Sequence, residues 1–434
     1  MTNVTVKRTA ELNGAVCAPP SKAYTQRMLL AAALSQGTSK VSNPLFSEDT
    51  EAALRAVKAI GAKVTAAGSC WTVEGANPLK GSKNPVDCGE SGATLRFMIP
   101  IAALAAEPTV FVMRESLAKR PLESLLESLR QLGVEASFQR VDGAASVRVE
   151  GGGISGGKTA MPGDVSSQFV SGLMFACPMA KTDTELTLTT PLESKSYVHM
   201  TQDVLARHGV KVEISKDFTH LHIPSNQKYV PHDGKVPGDF SSAAFLLAAA
   251  AITKSNVTVK NLDLEAVQGD KAILDVLKRM GVQGKVCSDS VEITGSGSML
   301  EPVDIDARNI PDLVPICAVL ACYAKGTSKI HDAKRLRLKE SDRLESIYVE
   351  LRNMGAKIDI DQSSLAIKGP SQLCGVEIDP FNDHRIAMSC AVAALRAEGE
   401  TVIQDAECVR KSYPHFFNDL RKLGADVVGG EFDR

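Results

Sequence analysis

Two apolar rhythms alternate along the 434-residue chain. Leu122, Leu125, Leu126, Leu129 and Leu132 keep the i, i+3, i+4, i+7 spacing that gives a helix one apolar stripe, and Leu344, Ile347, Leu351 and Met354 do the same. Short alternating runs at 71–75 (WTVEG), 147–151 (VRVEG) and 365–369 (LAIKG) read as strands. A recurrent glycine ends the helix and opens the next strand: Gly61, Gly133, Gly209, Gly281, Gly355 and Gly424, at intervals of 69 to 76 residues. Glycine suits the position just past a helix, where a positive φ costs little without a Cβ. The spacing implies one unit repeated six times.

Each unit also carries an earlier, more uniformly apolar helix, expected to open on a small polar cap at Ser21, Ser91, Ser166, Ser241, Asp312 or Asp383. Two of these openings nearly coincide, PGDVSS at 162–167 and PGDFSS at 237–242, 75 residues apart. The unit therefore reads helix, strand, helix, strand, strand. The sixth stops at Val427-Val428 without its last strand, and Val4-Thr5-Val6 has the pattern to supply it. The chain is thus expected to begin in its last domain, cross out and return. A single core of this size is disfavoured, and open solenoids use repeats of roughly 20–50 residues. Two closed α/β domains of three units each are expected, one at 20–233 and the other at 1–19 plus 234–434.

Lys and Arg number 49 against 51 Asp and Glu, a net charge of −2, so no global field gathers nucleic acid or an anionic membrane. Any anion site must come from local placement of cations. One Trp and 5% aromatic residues argue against a base-stacking platform. The 33 Gly and 20 Pro are too few for a collagen-like or low-complexity chain. The longest apolar run, 243–252, falls short of the about 18 residues of a membrane span, and the first residues lack the apolar core of a signal peptide. Ten scattered cysteines without a CxxC suggest reduced core residues in a cytoplasmic protein, with neither a disulfide frame nor a zinc site.

Local placement is where the cations become informative. Lys22 and Arg27 follow Ser21 at a helix start, where N–H groups and a partial positive charge suit phosphate or carboxylate. Gly89 and Gly92 permit close backbone approach, with Arg96 a turn further on. Lys119-Arg120-Pro121 precedes the second helix of unit two. Its counterpart in unit five is a basic run at 334–343 that alternates as far as Leu338, predicting an edge strand with Arg335, Arg337 and Lys339 on one face. Unit six opens with Asn382-Asp383-His384-Arg385 and later carries Arg410-Lys411-Ser412-Tyr413-Pro414. His384 and His220-x-His222 lack partners at metal-ligand spacing. Each group alone reads as a solvated charge, with Asp312 as a cap and Glu340 as a salt-bridge partner. Recurrence at equivalent unit ends points instead to a cleft between two domains that takes a small polyanion, with Asp312 or Glu340 as general base or acid.

In chain order the motifs are Ser21-Lys22 with Arg27, Ser91-Gly92 with Arg96, Arg120-Pro121, Ser166-Ser167-Gln168, Ser194-Lys195-x-Tyr197, Ile310-Pro311-Asp312, Leu338-Lys339-Glu340-Ser341-Asp342-Arg343, Asp383-His384-Arg385 and Lys411-Ser412-Tyr413-Pro414. This series resembles the 5-enolpyruvylshikimate-3-phosphate synthase family over essentially the whole chain. The resemblance implies an inside-out α/β barrel in each domain, three βαβαββ units with pseudo-threefold symmetry, and an active site in the interdomain cleft. It implies transfer of the enolpyruvyl group of phosphoenolpyruvate to the 5-hydroxyl of shikimate 3-phosphate, through a tetrahedral intermediate that loses phosphate, with no metal or organic cofactor. Asp312 would take the hydroxyl proton, while Glu340 and Lys22 would protonate C3 and handle the leaving phosphate. Lys22, Gly92, Arg120, Gln168, Arg343, Arg385 and Lys411 would hold phosphoenolpyruvate. Lys22, Ala23, Arg27, Ser166, Ser167, Gln168, Ser194, Tyr197, Asp312 and Lys339 would hold shikimate 3-phosphate. Arginine's planar fork matches carboxylate and phosphate.

Some positions depart from the family pattern. Ala23 replaces the usual Ser and leaves only a backbone N–H there, Glu90 replaces a frequent Asn, Ala93 replaces a Thr, and Arg335 stands where some members have Asn. Affinity is expected to change, and the glyphosate response to change through Ala93. Three rivals are a UDP-N-acetylglucosamine enolpyruvyl transferase, an RNA 3′-phosphate cyclase and a non-catalytic anion-binding repeat protein. The first normally carries a Cys in the loop where this chain has none between Cys88 and Cys177, and it lacks the Lys-Glu-Ser-Asp-Arg run. The second expects a nucleotide site and a catalytic His with no counterpart here, and retention of both acids argues against the third. A cytoplasmic monomer acting on small molecules, without nucleic acid or membrane as partner, is expected.

Overall fold

The structure, a computed structural model, describes residues 2–432. Contacts divide the chain into two compact units, Pro20–Val236 and the pair of segments Met1–Pro19 and Pro237–Arg434. The second crossing falls after Val236 and not after residue 233, because Gly234–Lys235 pairs in parallel with Thr38–Ser42.

Among the described residues, each unit holds three four-stranded sheets of one design. In the sheet built from Gly157–Met161, Thr184–Leu188, Glu213–Ile214 and His220–Ile223, the first two strands run parallel and the fourth lies antiparallel between the second and third. A helix crosses between the parallel strands, a second helix follows, and a hairpin closes the unit, which is βαβαββ. Three sheets borrow a strand from far along the chain. Glu11–Cys17 pairs with Lys254–Lys260, and Gly234–Lys235 joins the first sheet of its unit. Val4–Lys7 lies between Glu400–Ile403 and Val427–Val428, antiparallel to both.

Two kinds of helix serve these sheets for different physical reasons. Phe240–Ile252 is apolar all round and every residue of it is buried, as expected for a helix at the centre of a domain. It packs with Val314–Cys322 and His384–Ala394, which are buried along their length. The outer helices are amphipathic. Leu122, Leu125, Leu126, Leu129 and Leu132 are all buried around Glu123–Gln131, and Leu344, Ile347, Leu351 and Met354 around Arg343–Asn353. The six recurrent glycines all have positive φ, between 74° and 106°, and follow these helices.

Several local expectations differ from what the chain does. Asp239 takes the position before Phe240–Ile252, which puts Ser241 inside the first turn. Asp312 lies in a 3₁₀ turn, Pro311–Leu313, ahead of the helix it was expected to cap. Lys334–Leu338 is a 3₁₀ helix and no strand, so Arg335, Arg337 and Lys339 do not share a strand face. Five residues are too few to separate a period of two from one of three. The backbone turns at Asp332 (φ 56°), and Arg337 then bonds the carbonyls of Asp361 and Gln362. Of the ten cysteines, all unpaired, six are buried, but Cys17 and Cys374 are exposed and Cys70 and Cys287 half-buried. No helix among the described residues is long and apolar enough to cross a membrane.

Candidate active site

In the unit Pro20–Val236, the starts of three buried helices are tied together by side chains. Ser21, Ser91 and Ser166 accept the capping N–H bonds of Lys22–Leu34, Gly92–Ala102 and Ser167–Ala176. Gln26 donates to Ser91 Oγ and Thr94 Oγ1, both at 3.1 Å, joining the first two helices. Arg96 donates to Gln168 Oε1 at 2.9 Å, joining the second to the third, and its guanidinium lies over the Phe169 ring. A Cβ at Gly92 would come to 3.0 Å from Arg120 Nη1, so that guanidinium would have to give way by a few tenths of an ångström, while Arg96 Nη1 at 3.6 Å would be in ordinary contact. Lys22 forms an ion pair with Asp49 at 2.8 Å.

Arg27 is 2% exposed, and its partners are neutral: Thr201 Oγ1 at 2.8 Å, Ala23 O at 3.0 Å and Tyr197 O at 3.3 Å. The Phe97 and Tyr197 rings flank it. Burial pushes its pKa down to about 10. A buried guanidinium among neutral acceptors strongly favours an arriving anion. Thr201 passes the connection on to Ser171 Oγ at 2.8 Å, and Ser194, in a left-handed backbone conformation, opens the helix that carries Tyr197.

Charge is arranged differently in the C-terminal unit. Asp312 accepts from Arg343 Nη1 at 2.7 Å and Arg385 Nη2 at 3.2 Å, with Lys339 Nζ at 3.9 Å. Arg343 also donates through Nε to Asp383 at 2.7 Å and through Nη2 to Glu340. Asp383 caps the helix His384–Ala394 and accepts from Ser341, while Lys411 Nζ bonds Asn382 O at 2.6 Å beside the same helix start. Burial alone would push the Asp312 carboxyl up, but Arg385, Lys339 and Arg343 outweigh it and hold it well below the usual carboxylate range. Arg343 is buried as well, yet Asp383, Glu340 and Asp312 hold its pKa above the ordinary value. Burial pushes Lys339 down to about 8, with Asp312 opposing and Arg335 and Arg343 adding.

The motif residues therefore fall into two groups. Lys22, Ala23, Arg27, Gly92, Arg120, Ser166, Ser167, Gln168, Ser194 and Tyr197 belong to one unit, and Asp312, Lys339, Glu340, Arg343, Arg385 and Lys411 to the other. Two acids, Asp49 and Asp270, escaped sequence reasoning, and a third, Asp383, is legible there only as a cap. Asp49 sits in Ser47-Glu48-Asp49-Thr50, where acids in a first turn read as ordinary dipole complements. Asp383 reads as a cap, which it is, and nothing local announces its bond to Arg343. Asp270 is 3% exposed, accepts from Ser241 Oγ, and is pushed up to about 7 by burial and by Asp312, against Arg385. No spacing signal singles it out. Asp306, His331 and Asp332 bring ligand atoms within 4.8 Å of one another, but Arg308 pairs with both carboxylates.

The fold is shared with enolpyruvyl transferases. An EPSP synthase structure from Acinetobacter baumannii superposes with a TM-score of 0.82 at 25% identity, covering 99% of this chain and 100% of the other. The enolpyruvyl transferase NikO from Streptomyces tendae superposes at 0.80 with 20% identity, covering 99% and 98%. Sequence goes further. A family model described as EPSP synthase (3-phosphoshikimate 1-carboxyvinyltransferase) matches residues 6–420. Proteins named 3-phosphoshikimate 1-carboxyvinyltransferase are 41% identical over 97% of this chain and 98% of theirs in Methanocaldococcus jannaschii, and 43% identical over 96% and 98% in Methanocorpusculum labreanum. The chain belongs to the EPSP synthase family.

Proposed function

We propose that Asp312 is the general base, and that the two residue groups divide between them the work of the reaction the family performs. That reaction transfers the enolpyruvyl group of phosphoenolpyruvate to shikimate 3-phosphate, and this chain is a transferase of that kind. The observation that carries the assignment of roles is one carboxylate, Asp312, set against Arg343, Arg385 and Lys339 and held ionised.

Asp312 takes the proton of the 5-hydroxyl as its oxygen bonds to C2 of phosphoenolpyruvate and C3 gains a proton. The tetrahedral adduct then breaks its C2–O bond to phosphate and returns a proton from C3. The hydroxyl proton leaves on phosphate, so the sum is balanced without an added acid. Ringed by cations, Asp312 is a weak base. Two polyanionic substrates draw those cations toward themselves and raise its basicity when it is needed. Glu340 and Lys22 serve the proton at C3 and the leaving phosphate. Arg120, Arg343, Arg385 and Lys411, with Lys22, Gly92 and Gln168, hold phosphoenolpyruvate. Arg27, Ser166, Ser167, Gln168, Ser194, Tyr197 and Lys339, with Lys22, Asp312 and the backbone N–H of Ala23, hold shikimate 3-phosphate. The neutral surroundings of Arg27 support its role as an anion receptor.

Phosphate release from phosphoenolpyruvate, measured with each acceptor, tests the reading. Release is expected with shikimate 3-phosphate and not with UDP-N-acetylglucosamine. The reverse pattern, or none with either, contradicts it.

A further inference from the structure

The loop between Val86–Asp87 and Gly92–Ala102 is pinned at both ends. Gly89 N–H donates to Asp87 Oδ1 at 2.7 Å, Arg114 N–H donates to Gly89 O at 3.1 Å, and Ser91 caps the helix. From this loop Glu90 meets Ser116, whose Oγ donates to Glu90 Oε2. Arg120 Nη2 in turn donates to the same Ser116 Oγ at 3.5 Å. A hydroxyl has one proton and two lone pairs, so a Ser116 whose proton is committed to a carboxylate faces the guanidinium as an acceptor. On the other side, Arg120 Nη1 lies against Gly92. Arg120 is 8% exposed, and Leu117 anchors the short helix between them in the core.

We propose that Glu90 and Ser116 form a relay that orients Arg120, which makes Glu90 a positioning residue for phosphoenolpyruvate. The inference rests on the reading that Arg120 holds that substrate. It deepens that reading by naming what fixes the arginine to the helix start carrying Gly92. The relay also fixes a sign. A carboxylate near an anionic substrate would, by simple repulsion, weaken binding, so its removal would tighten phosphoenolpyruvate. A carboxylate that orients the arginine does the opposite.

Steady-state constants for both substrates distinguish these outcomes in Glu90→Ala, Glu90→Gln, Ser116→Ala, the Glu90→Ala/Ser116→Ala double variant and Arg120→Lys. Glu90→Ala and Ser116→Ala should each raise KM for phosphoenolpyruvate about five- to twentyfold, with kcat and KM for shikimate 3-phosphate within about twofold. The double variant should be no worse than the worse single one, because both links lie on one path. Glu90→Gln, which still accepts from Ser116, should recover most of the loss. An unchanged or lowered KM for phosphoenolpyruvate in Glu90→Ala, or additive effects in the double variant, would overturn the relay. If Arg120→Lys raises that KM and Glu90→Ala does not, the relay alone falls. If Arg120→Lys leaves it unchanged, the reading of Arg120 falls and takes the relay with it.

Discussion

Arg343 and Arg27 are both buried guanidinium groups, yet they live in opposite surroundings. Arg343 touches Asp312, Glu340 and Asp383, three carboxylates from three segments of the C-terminal unit. Arg27, in the other unit, meets a threonine hydroxyl, two carbonyls and two aromatic faces. The first arrangement is already neutralised and holds acids in fixed geometry, which suits proton transfer. The second keeps a positive charge uncompensated by carboxylates, which suits recognition of an anion. Two buried arginines, one in the helix Lys22–Leu34 and one opening Arg343–Asn353, thus take different work from the groups placed around them.

Removing Arg343 should break the comparison most severely. Arg343→Met leaves three acids crowded around an apolar side chain. The expected loss is about 3–5 kcal/mol of folding stability, read from urea midpoints, with turnover lost as well. A variant as stable as the parent would show that the acids do not depend on it. Arg27→Lys comes next. It keeps the charge but not the planar fork, and should raise KM for shikimate 3-phosphate about tenfold or more while kcat stays within about threefold. A fall in kcat with unchanged KM would move Arg27 from recognition to chemistry.

Titration sharpens the contrast further. Lys339, held down to about 8, binds an anion only while protonated. The kcat/KM for shikimate 3-phosphate should therefore fall as pH rises through about 8, since that ratio reports the free enzyme. In Lys339→Arg the descending limb should move beyond the measurable range, and a limb that stays in place would assign it to another group. The same lowered pKa means that the unfolded chain keeps this proton where the folded one has lost it. Its contribution to stability therefore rises with pH between about 8 and its unfolded value. The smallest effect expected is at Ala93, where Ala93→Thr should shift the glyphosate inhibition constant by about two- to tenfold. An unchanged constant would remove Ala93 from the inhibitor's surroundings.

Much of the fold was legible where one physical requirement dominates a stretch of chain. The leucines at 122–132 can bury one stripe only as a helix, and the six glycines with positive φ mark where such helices end. Pairing across long separations was harder to see. Glu11–Cys17 and Gly234–Lys235 complete sheets begun far away, and neither segment has an internal pattern that names its partner. At 334–338 a short Leu/Arg alternation fits both a strand and a 3₁₀ helix, and tertiary bonds of Arg337 decide for the latter. For the site, residue types and order were readable, while the pairings were not. Lys22 with Asp49 and Arg343 with Asp383 join residues 27 and 40 positions apart, and each acid already has a satisfactory local role as a first-turn or capping residue.

Asp312→Asn separates the two kinds of work most directly, because it removes a base while keeping the shape and hydrogen bonding of the side chain. Shikimate 3-phosphate affinity by calorimetry and kcat by phosphate release should be measured on the same preparation. The expected result is an affinity within about threefold of the parent and a kcat lower by about 10²–10⁴. A kcat within threefold of the parent would contradict the assignment of Asp312 as the base, and so would a kcat loss fully accounted for by weaker binding.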